Sequence, residues 1–294
     1  MKIGDLIPNL PGLAALPGGD AIERLLIEVD ERVDAVPCSL NEYGFDPWGY
    51  SPDFFKQFIL PSVVMYRYYF RCITKGAHNI PEGRCLLIGN HAGQVAFDGA
   101  MVSAATILEA DPPRLARAMG EYWLGTLPWF SVLLDRIGSA VGIRQTCADM
   151  LRGGECVLAF PEGVRGMNKV YADAYQLQEF GLGFMRLALE TDTPIIPFSV
   201  VGSEEQAPSI ANLERIGRLF GAPAFPVTLT WPWLGPLGMI PLPTRYHIEF
   251  GEPLHFEGAA NDEDDVISEK VQQVKDVIQE MLRTGLAERE SIFF

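Results

Sequence analysis

Residues 85–98 read CLLIGNHAGQVAFD and carry the clearest structural signal in the chain. The first five residues form an apolar run, which is typical of a strand buried on both faces of a parallel sheet. Asn90 and His91 follow directly, and a turn containing Gly93 leads into a helical pattern near Gly99. A strand, a short loop and a helix make the repeating unit of α/β folds, which bind ligands at the carboxyl ends of their strands.

The same alternation continues on both sides of this stretch. Short apolar runs predict strands, and longer segments with helical spacing separate them. The predicted strands are 70–74, 85–89, 115–119, 139–143, 156–160, 195–201 and 246–250, and the predicted helices between and after them are 99–110, 121–136, 145–153, 179–191 and 262–283. We therefore predict an α/β fold with a single, mostly parallel (mixed) sheet of about seven strands, flanked by helices.

Residues 1–69 have a different pattern, without predicted strands. Apolar residues recur at helical spacing in 20–36, and a second helical segment over 53–69 contains Pro61, where we expect a bend. We predict an N-terminal helical extension over 1–69 and a catalytic domain over 70–294. The apolar stretches 54–70 and 231–234 (WPWL) each have two open interpretations, contact with a membrane interface or packing in the core.

The charge balance limits the classes of partner. The 294 residues include 23 Lys and Arg against 38 Asp and Glu, a formal net charge of −15. This excess of acid disfavours nucleic acid as a partner, and it disfavours docking to anionic lipid by charge alone. The uncharged run 219–244 is interrupted by six prolines and cannot form one spanning helix. The five cysteines predict free thiols in a reducing compartment. We expect a cytoplasmic protein, with a peripheral position on the inner face of the membrane as an option.

His91 and Asp98 suggest general-base chemistry. A carboxylate beside an imidazole fixes its tautomer and stabilises its protonated form. Seven residues of one helix span about 10 Å, so the two side chains meet only if residues 92–97 form a loop. A structural interpretation is equally concrete: Asp98 caps the helix and His91 is a hydrogen-bonded loop residue. These residues alone leave both interpretations open.

Polar residues also follow two other predicted strands. The segment 160–166 reads FPEGVRG, and an arginine on such a turn suits a phosphate through paired hydrogen bonds. The alternative is a structural ion pair between Glu162 and Arg165. Arg144 ends the apolar run 139–144 (SAVGIR) and is either a third group at the same edge or an ordinary exposed arginine. The four histidines are not spaced as metal ligands, so we predict no metal site.

Taken in order, these blocks resemble those of the glycerolipid acyltransferases, the lysophosphatidic acid acyltransferase (PlsC-like) superfamily. Residues 90–98 resemble its Asn-His…Asp block, with six residues instead of four between His and Asp. Residues 138–144 resemble its glycine-to-arginine block. Residues 160–166 resemble Phe-Pro-Glu-Gly-Thr-Arg, with Val164 in place of threonine, and residues 195–202 resemble its buried strand with a proline. The longer spacing indicates a variant branch of the superfamily.

The resemblance implies an O-acyltransferase of the 1-acylglycerol-3-phosphate O-acyltransferase kind, active in phospholipid biosynthesis. Such an enzyme moves a fatty acyl group from acyl-CoA or acyl-carrier protein to a hydroxyl of a glycerol-phosphate or lysophospholipid-like acceptor. By the same resemblance His91 is the general base and Asp98 its partner. The residues implied in acceptor binding are Asn90, Arg144, Glu162, Gly163 and Arg165. The thioester is a co-substrate, and no cofactor is implied.

Three alternatives remain open at this stage. Water in place of the acceptor makes the same histidine the base of a thioesterase or lipid esterase. The acceptor can be a non-glycerol compound, such as an amine or a sugar hydroxyl. The widened His–Asp spacing can also mark a non-catalytic lipid-binding protein.

Overall fold

The computed structural model describes residues 19–94, 96–120, 129–219 and 225–294. Its strands are β1 (Ile73–Lys75), β2 (Cys85–Gly89), β3 (Ala116–Gly120), β4 (Ala140–Val141), β5 (Cys156–Ala159), β6 (Ile195–Val201), β7 (Ser209–Asn212), β8 (Pro226–Thr228) and β9 (His247–Phe250). Its α-helices are α1 (Gly19–Asp34), α2 (Pro52–Val64), α3 (Phe97–Leu108), α4 (Phe130–Arg136), α5 (Arg144–Arg152), α6 (Val164–Met167), α7 (Gly183–Thr191), α8 (Glu214–Leu219) and α9 (Asp264–Glu288).

Seven of these strands form one mixed sheet in the order β1-β9-β6-β2-β5-β3-β4. Neighbouring strands run parallel, except for β6 and β9, which are antiparallel. The predicted α/β fold with a mostly parallel sheet of about seven strands is therefore confirmed. Because β2, β3, β5 and β6 are parallel, their carboxyl ends lie along one side of the sheet, which we call the carboxyl edge. The loops that follow β2 and β5 bring His91 and Glu162 there.

Helices cover both faces of the sheet. On one face, side chains of α1, α2 and α3, such as Leu25, Val63 and Met101, share a core with Leu87 of β2. On the other face, α5, α7 and α9 pack on Leu86 and Ile88 of the same strand. The buried stripe of α9 is Ile267, Val271, Val274, Ile278 and Leu282. The alternation of buried side chains along β2 therefore separates two apolar layers. The division into 1–69 and 70–294 stays a prediction, and residues 1–18 lie outside the described chain.

Several boundaries differ from those predicted. The helix predicted over 53–69 is α2 followed by a π-helical turn, Met65–Tyr69. The strand predicted from residue 70 begins at Ile73, because Arg71 has a φ of +46° that breaks extended structure. Of the helix predicted over 121–136, residues 121–128 lie outside the described chain, and α4 begins at Phe130. The sequence patterns missed the antiparallel pair β7–β8, whose short strands lack a regular alternation.

Within the described residues, no helix has both the length and the apolar composition that a bilayer crossing needs. All five cysteines are free thiols, and Cys85, Cys147 and Cys156 are buried.

Candidate functional site

The loop after β2 brings His91 and Asp98 together. Gly93 and Gln94 adopt φ values of +91° and +63°, which turn the chain sharply, and α3 begins only at Phe97. Residues 92–94 and 96 are therefore not helical, as the spacing of the two side chains requires. His91 Nδ1 lies 2.7 Å from Asp98 Oδ2, a hydrogen-bond distance.

Asp98 is the second residue of α3 and not its N-cap, which is Ala96, and its carboxylate contacts both the start of the helix and the imidazole. Its carboxylate is completely buried and accepts hydrogen bonds from the backbone N–H groups of Ala92 and Gly99, at 2.9 and 2.8 Å. It therefore satisfies the start of α3 and holds the imidazole at the same time. Because an ionised carboxylate only accepts, Nδ1 of His91 carries the proton and Nε2 is left with a free lone pair.

The imidazole of His91 lies against an aromatic ring at the carboxyl edge. The ring of Phe160, which follows β5, stacks on it with a centroid distance of 4.1 Å and an interplanar angle of 17°. Only 8% of His91 is exposed. This contact and the bond to Asp98 fix two sides of the imidazole, so its orientation is set before any substrate arrives.

Glu162 ties the loop after β5 to the loop after β2. Its buried carboxylate accepts from the backbone N–H of His91 at 3.0 Å and from that of Gln178 at 2.7 Å. Lys169 Nζ lies 3.8 Å from Glu162 and 2.7 Å from Glu204. Burial raises the pKa of Glu204, while the charge of Lys169 acts to lower it. Glu162 thus positions the backbone of His91 through contacts inside the chain.

Asn90 continues the sheet beyond the end of β2. Its side-chain amide donates to the carbonyl of Val200 at 3.0 Å and accepts from the N–H of Val200 at 2.8 Å. These two bonds replace the ladder bonds that the backbone of β2 no longer supplies. Asn90 therefore fixes where the chain leaves the sheet, one residue before His91.

The two predicted arginines contact other parts of the chain. Arg144 begins α5 instead of ending a strand, and it shares Glu190 with Arg152. Glu190 lies near the end of α7, which leads to the amino end of β6. Arg165 lies in α6 and pairs with Glu179 at 3.1 Å, with both side chains more than half exposed. The predicted strand 139–143 is correspondingly shorter, and neither arginine contacts His91 among the hydrogen bonds of the described residues.

Two glycines shape the turn after β5. Gly163 has φ +55° and donates its N–H to the carbonyl of Phe160, which closes the turn. A Cβ at Gly166 would lie 2.7 Å from the carbonyl oxygen of His91. The backbone of α6 therefore approaches His91 more closely than a larger residue permits. Of the predicted residues, Asn90, His91, Glu162 and Gly163 lie in the two loops, and Asp98 lies beside them in the first turn of α3.

A second set of contacts holds the His91 loop from the side of β6. Gln206 Nε2 donates to the carbonyl of Gly93 at 3.1 Å, and Tyr246 donates its hydroxyl to Gln206 Oε1 at 2.6 Å. Burial, together with the charge of Asp98, raises the pKa of Tyr246 well above its ordinary value. Tyr246 therefore remains a neutral donor. No sequence motif indicated Gln206, Lys169 or Tyr246, because each joins the site through a partner distant in the chain.

We expect Gly93→Ala to destabilise the fold by more than the roughly 1–2 kcal/mol that a left-handed conformation costs a residue with a Cβ. An added Cβ would come within 1.9 Å of Gln206 Nε2 and so displace the loop. Gly154→Ala is the matched control, since Gly154 has φ +89° but no atom within 4 Å of an added Cβ. Urea unfolding gives the free energy of unfolding of both variants. Equal losses of stability would show that the loop absorbs the new methyl group.

Comparisons with known proteins identify a family and a fold. The family model described as Acyltransferase matches residues 71–201. An uncharacterized protein of Mycobacterium leprae is 38% identical over 283 residues, which are 92% of this chain and 77% of that protein. The DGAT1/2-independent enzyme synthesizing storage lipids of Mus musculus is 24% identical over 209 residues, which cover 70% of this chain and 58% of the mouse protein.

A solved structure shares the fold. The crystal structure of the 1-acyl-sn-glycerophosphate (LPA) acyltransferase PlsC from Thermotoga maritima superposes with a TM-score of 0.52 at 16% identity, and the match covers 81% of each chain. The fold and the family match together define the class as an acyltransferase. The chain belongs to the Acyltransferase family.

Proposed function

We propose that this chain transfers a fatty acyl group from a thioester, acyl-CoA or acyl-carrier protein, to a hydroxyl group, with His91 as the general base. The observation that carries the proposal is the buried 2.7 Å contact between His91 Nδ1 and Asp98 Oδ2. With an ionised carboxylate as its partner, this contact favours the tautomer protonated at Nδ1, in which Nε2 is the basic nitrogen.

The reaction balances with these groups alone. Nε2 of His91 takes the proton of the acceptor hydroxyl while the oxygen attacks the thioester carbon. The tetrahedral intermediate then expels the thiolate as the C–S bond breaks, and the imidazolium returns its proton to the sulfur. Asp98 stabilises the imidazolium between these two steps, and it stays ionised throughout. The products are an ester and a free thiol, and we expect no metal, cofactor or covalent intermediate.

For the acceptor, we propose a glycerol-phosphate or lysophospholipid-like molecule whose phosphate binds Arg165. Arg165 lies three residues after Glu162, and its exposed ion pair with Glu179 contributes little stability, so a phosphate can replace it. Arg144 is a weaker candidate, because it must leave Glu190, which it shares with Arg152. We propose that Asn90, Glu162 and Gly163 act on the acceptor indirectly. They position the His91 loop, and that loop contacts the acceptor.

A neutral acceptor is the second candidate. The carboxylates of Asp98 and Glu162 bind groups inside the chain, the other side chains that contact the His91 loop include the uncharged Phe160 and Gln206, and the two arginines bind elsewhere in the chain. The name of the mouse relative refers to the synthesis of storage lipids. A lipid alcohol without a phosphate is therefore a reasonable acceptor for this branch.

A panel assay separates these possibilities. Purified protein is incubated with acyl-CoA of several chain lengths and with lysophosphatidic acid, glycerol 3-phosphate, monoacylglycerol, diacylglycerol and a sugar alcohol. Thiol release is followed by absorbance, and products are identified by mass. We expect thiol release that depends on the acceptor and an equal amount of ester. Release without an acceptor would instead indicate a thioesterase, and lipid binding without release would indicate a non-catalytic protein.

A further inference from the structure

Residues 229–240, which we call the apolar loop, expose large hydrophobic side chains to solvent. The loop lies between β8 and β9, and six of its side chains are more than half exposed: Leu229, Trp233, Leu234, Leu237, Met239 and Ile240. It belongs to the run 219–244, which contains no charged residue in a chain of net charge −15. Soluble proteins rarely leave such a continuous apolar surface uncovered, so it indicates a contact site.

The backbone of the apolar loop is held in place by its own hydrogen bonds. Thr228 Oγ1 accepts from the N–H groups of Thr230 and Trp231, and Thr230 Oγ1 donates to the carbonyl of Gly238. The indole N–H of Trp233 donates to the carbonyl of Thr228 at 3.2 Å. The indole thus satisfies its polar group while the side chain remains 68% exposed. The loop presents these side chains outward from a supported backbone.

Residues on either side of the apolar loop in the chain contact the surroundings of the candidate site. Gln206, which binds Gly93, accepts at its backbone carbonyl from the N–H of Leu242. Asn212 of β7 donates to the carbonyl of Asn168, next to α6. Contacts on both sides of the apolar loop therefore connect it to the two loops that carry the candidate site.

A second exposed tryptophan follows another strand of the same edge. Trp129 is 86% exposed and precedes α4, on the connection that leaves the carboxyl end of β3. In the sheet, β2 lies between β6 and β3, and β2 leads to His91. The apolar loop, which follows β6, and Trp129, which follows β3, thus come from strands on either side of β2.

We infer that the apolar loop and Trp129 dock on a lipid bilayer and place the His91 loop at the lipid–water interface. This inference rests on the proposed function, whose substrates are lipids. Tryptophan and aliphatic side chains suit the headgroup boundary. The absence of charge in the loop avoids the repulsion that the net charge of −15 would meet at an anionic membrane. A protein partner would favour charged residues around the patch, and the run 219–244 contains none.

Vesicle sedimentation tests the inference without any assay of turnover. We expect the full chain to sediment with uncharged phosphatidylcholine vesicles, equally at low and high salt, and His91→Asn to bind as well as the natural sequence. The double variant Trp233→Asp/Leu237→Asp should lower the partition coefficient by at least about tenfold, since charged side chains enter the interface poorly. Val266→Asp is the matched control, because Val266 is an exposed apolar residue in the first turn of α9, outside the apolar loop.

Two further measurements keep the result decisive. Quenching of tryptophan fluorescence by brominated phosphatidylcholine tests insertion in the unaltered chain, and circular dichroism checks that the variants fold. Failure of the natural sequence to bind vesicles, or unchanged binding by the double variant, would overturn the inference. So would sedimentation equilibrium that shows a dimer dissociated by the same substitutions, since the surface would then bind a second copy. Failure of acyl transfer with intact vesicle binding would reject only the proposed function.

Discussion

We expect His91→Asn to lower the acyl-transfer rate by about 10²–10⁴-fold, the contribution typical of a positioned general base. An asparagine amide can place its NH₂ near the position of Nδ1 and keep the hydrogen bond to Asp98. It has no counterpart to Nε2, so only the basic nitrogen is lost. Thiol release with the best acceptor of the panel measures the effect.

The control for this substitution is His255→Asn, because His255 is exposed and follows β9, away from the two loops of the site. We expect it to retain full activity. Turnover by His91→Asn within about threefold of the natural sequence would contradict a role for His91 as base, because a general base contributes far more than that.

Asp98→Asn tests the role of Asp98, the hydrogen-bond partner of His91, in the same assay of thiol release. The Asp98 carboxylate accepts from His91 and from two backbone N–H groups, whereas an amide offers a single acceptor oxygen. At least one donor loses its partner, and the amide NH₂ favours the opposite tautomer of the imidazole. We therefore expect a large loss of kcat and a loss of stability of about 1–3 kcal/mol. If the variant were destabilised but kept the kcat of the natural sequence, Asp98 would only support the first turn of α3.

The central part of the fold was predictable from the sequence because its signals are local. The apolar run 85–89 is buried on both faces of the sheet, and it needs no distant residue to be recognised as a strand. The motifs at the ends of β2 and β5 are also expected to lie close together, because neighbouring parallel strands end at the same edge of the sheet. The contact between His91 and Asp98 was predictable only as a condition on residues 92–97, and the positive φ at Gly93 meets it.

The remaining features depend on contacts that span long stretches of chain. Arg144 follows an apolar run, and this position in the sequence predicts that it lies at the site. In the structure it binds Glu190 instead, which is 46 residues away in the chain. Lys169 binds Glu204, and nothing in the sequence near either residue indicates the pair. Glu162 was expected to bind substrate, yet both of its oxygens accept from backbone N–H groups inside the chain. Spacing predicts which residues share an edge, while side-chain partners depend on the packed structure.

Arg117 should give the largest effect on stability. Its guanidinium is almost completely buried, contacts Asp46, and lies 2.7 Å from Glu155 through Nε. It also lies 4.9 Å from the ring centroid of Trp48. Asp46 in turn accepts from the N–H groups of Trp48 and Tyr50, both at 2.8 Å. Arg117 on β3 therefore ties the turn between α1 and α2 to the sheet.

We expect Arg117→Met to lower the free energy of unfolding by about 3–5 kcal/mol, the cost of leaving a buried partner charge unpaired. Methionine keeps much of the side-chain volume, so the loss reports on the charges of Asp46 and Glu155. Arg283→Met is the matched control, since its pair with Glu280 is more than two-thirds exposed and should contribute less than about 1 kcal/mol.

Adding Asp46→Asn and Glu155→Gln to Arg117→Met should recover part of the loss, because no buried charge then remains unpaired. Urea unfolding measures all three proteins. If Arg117→Met cost no more than Arg283→Met, the turn would be held by apolar packing, and the ion pairs would not determine its position.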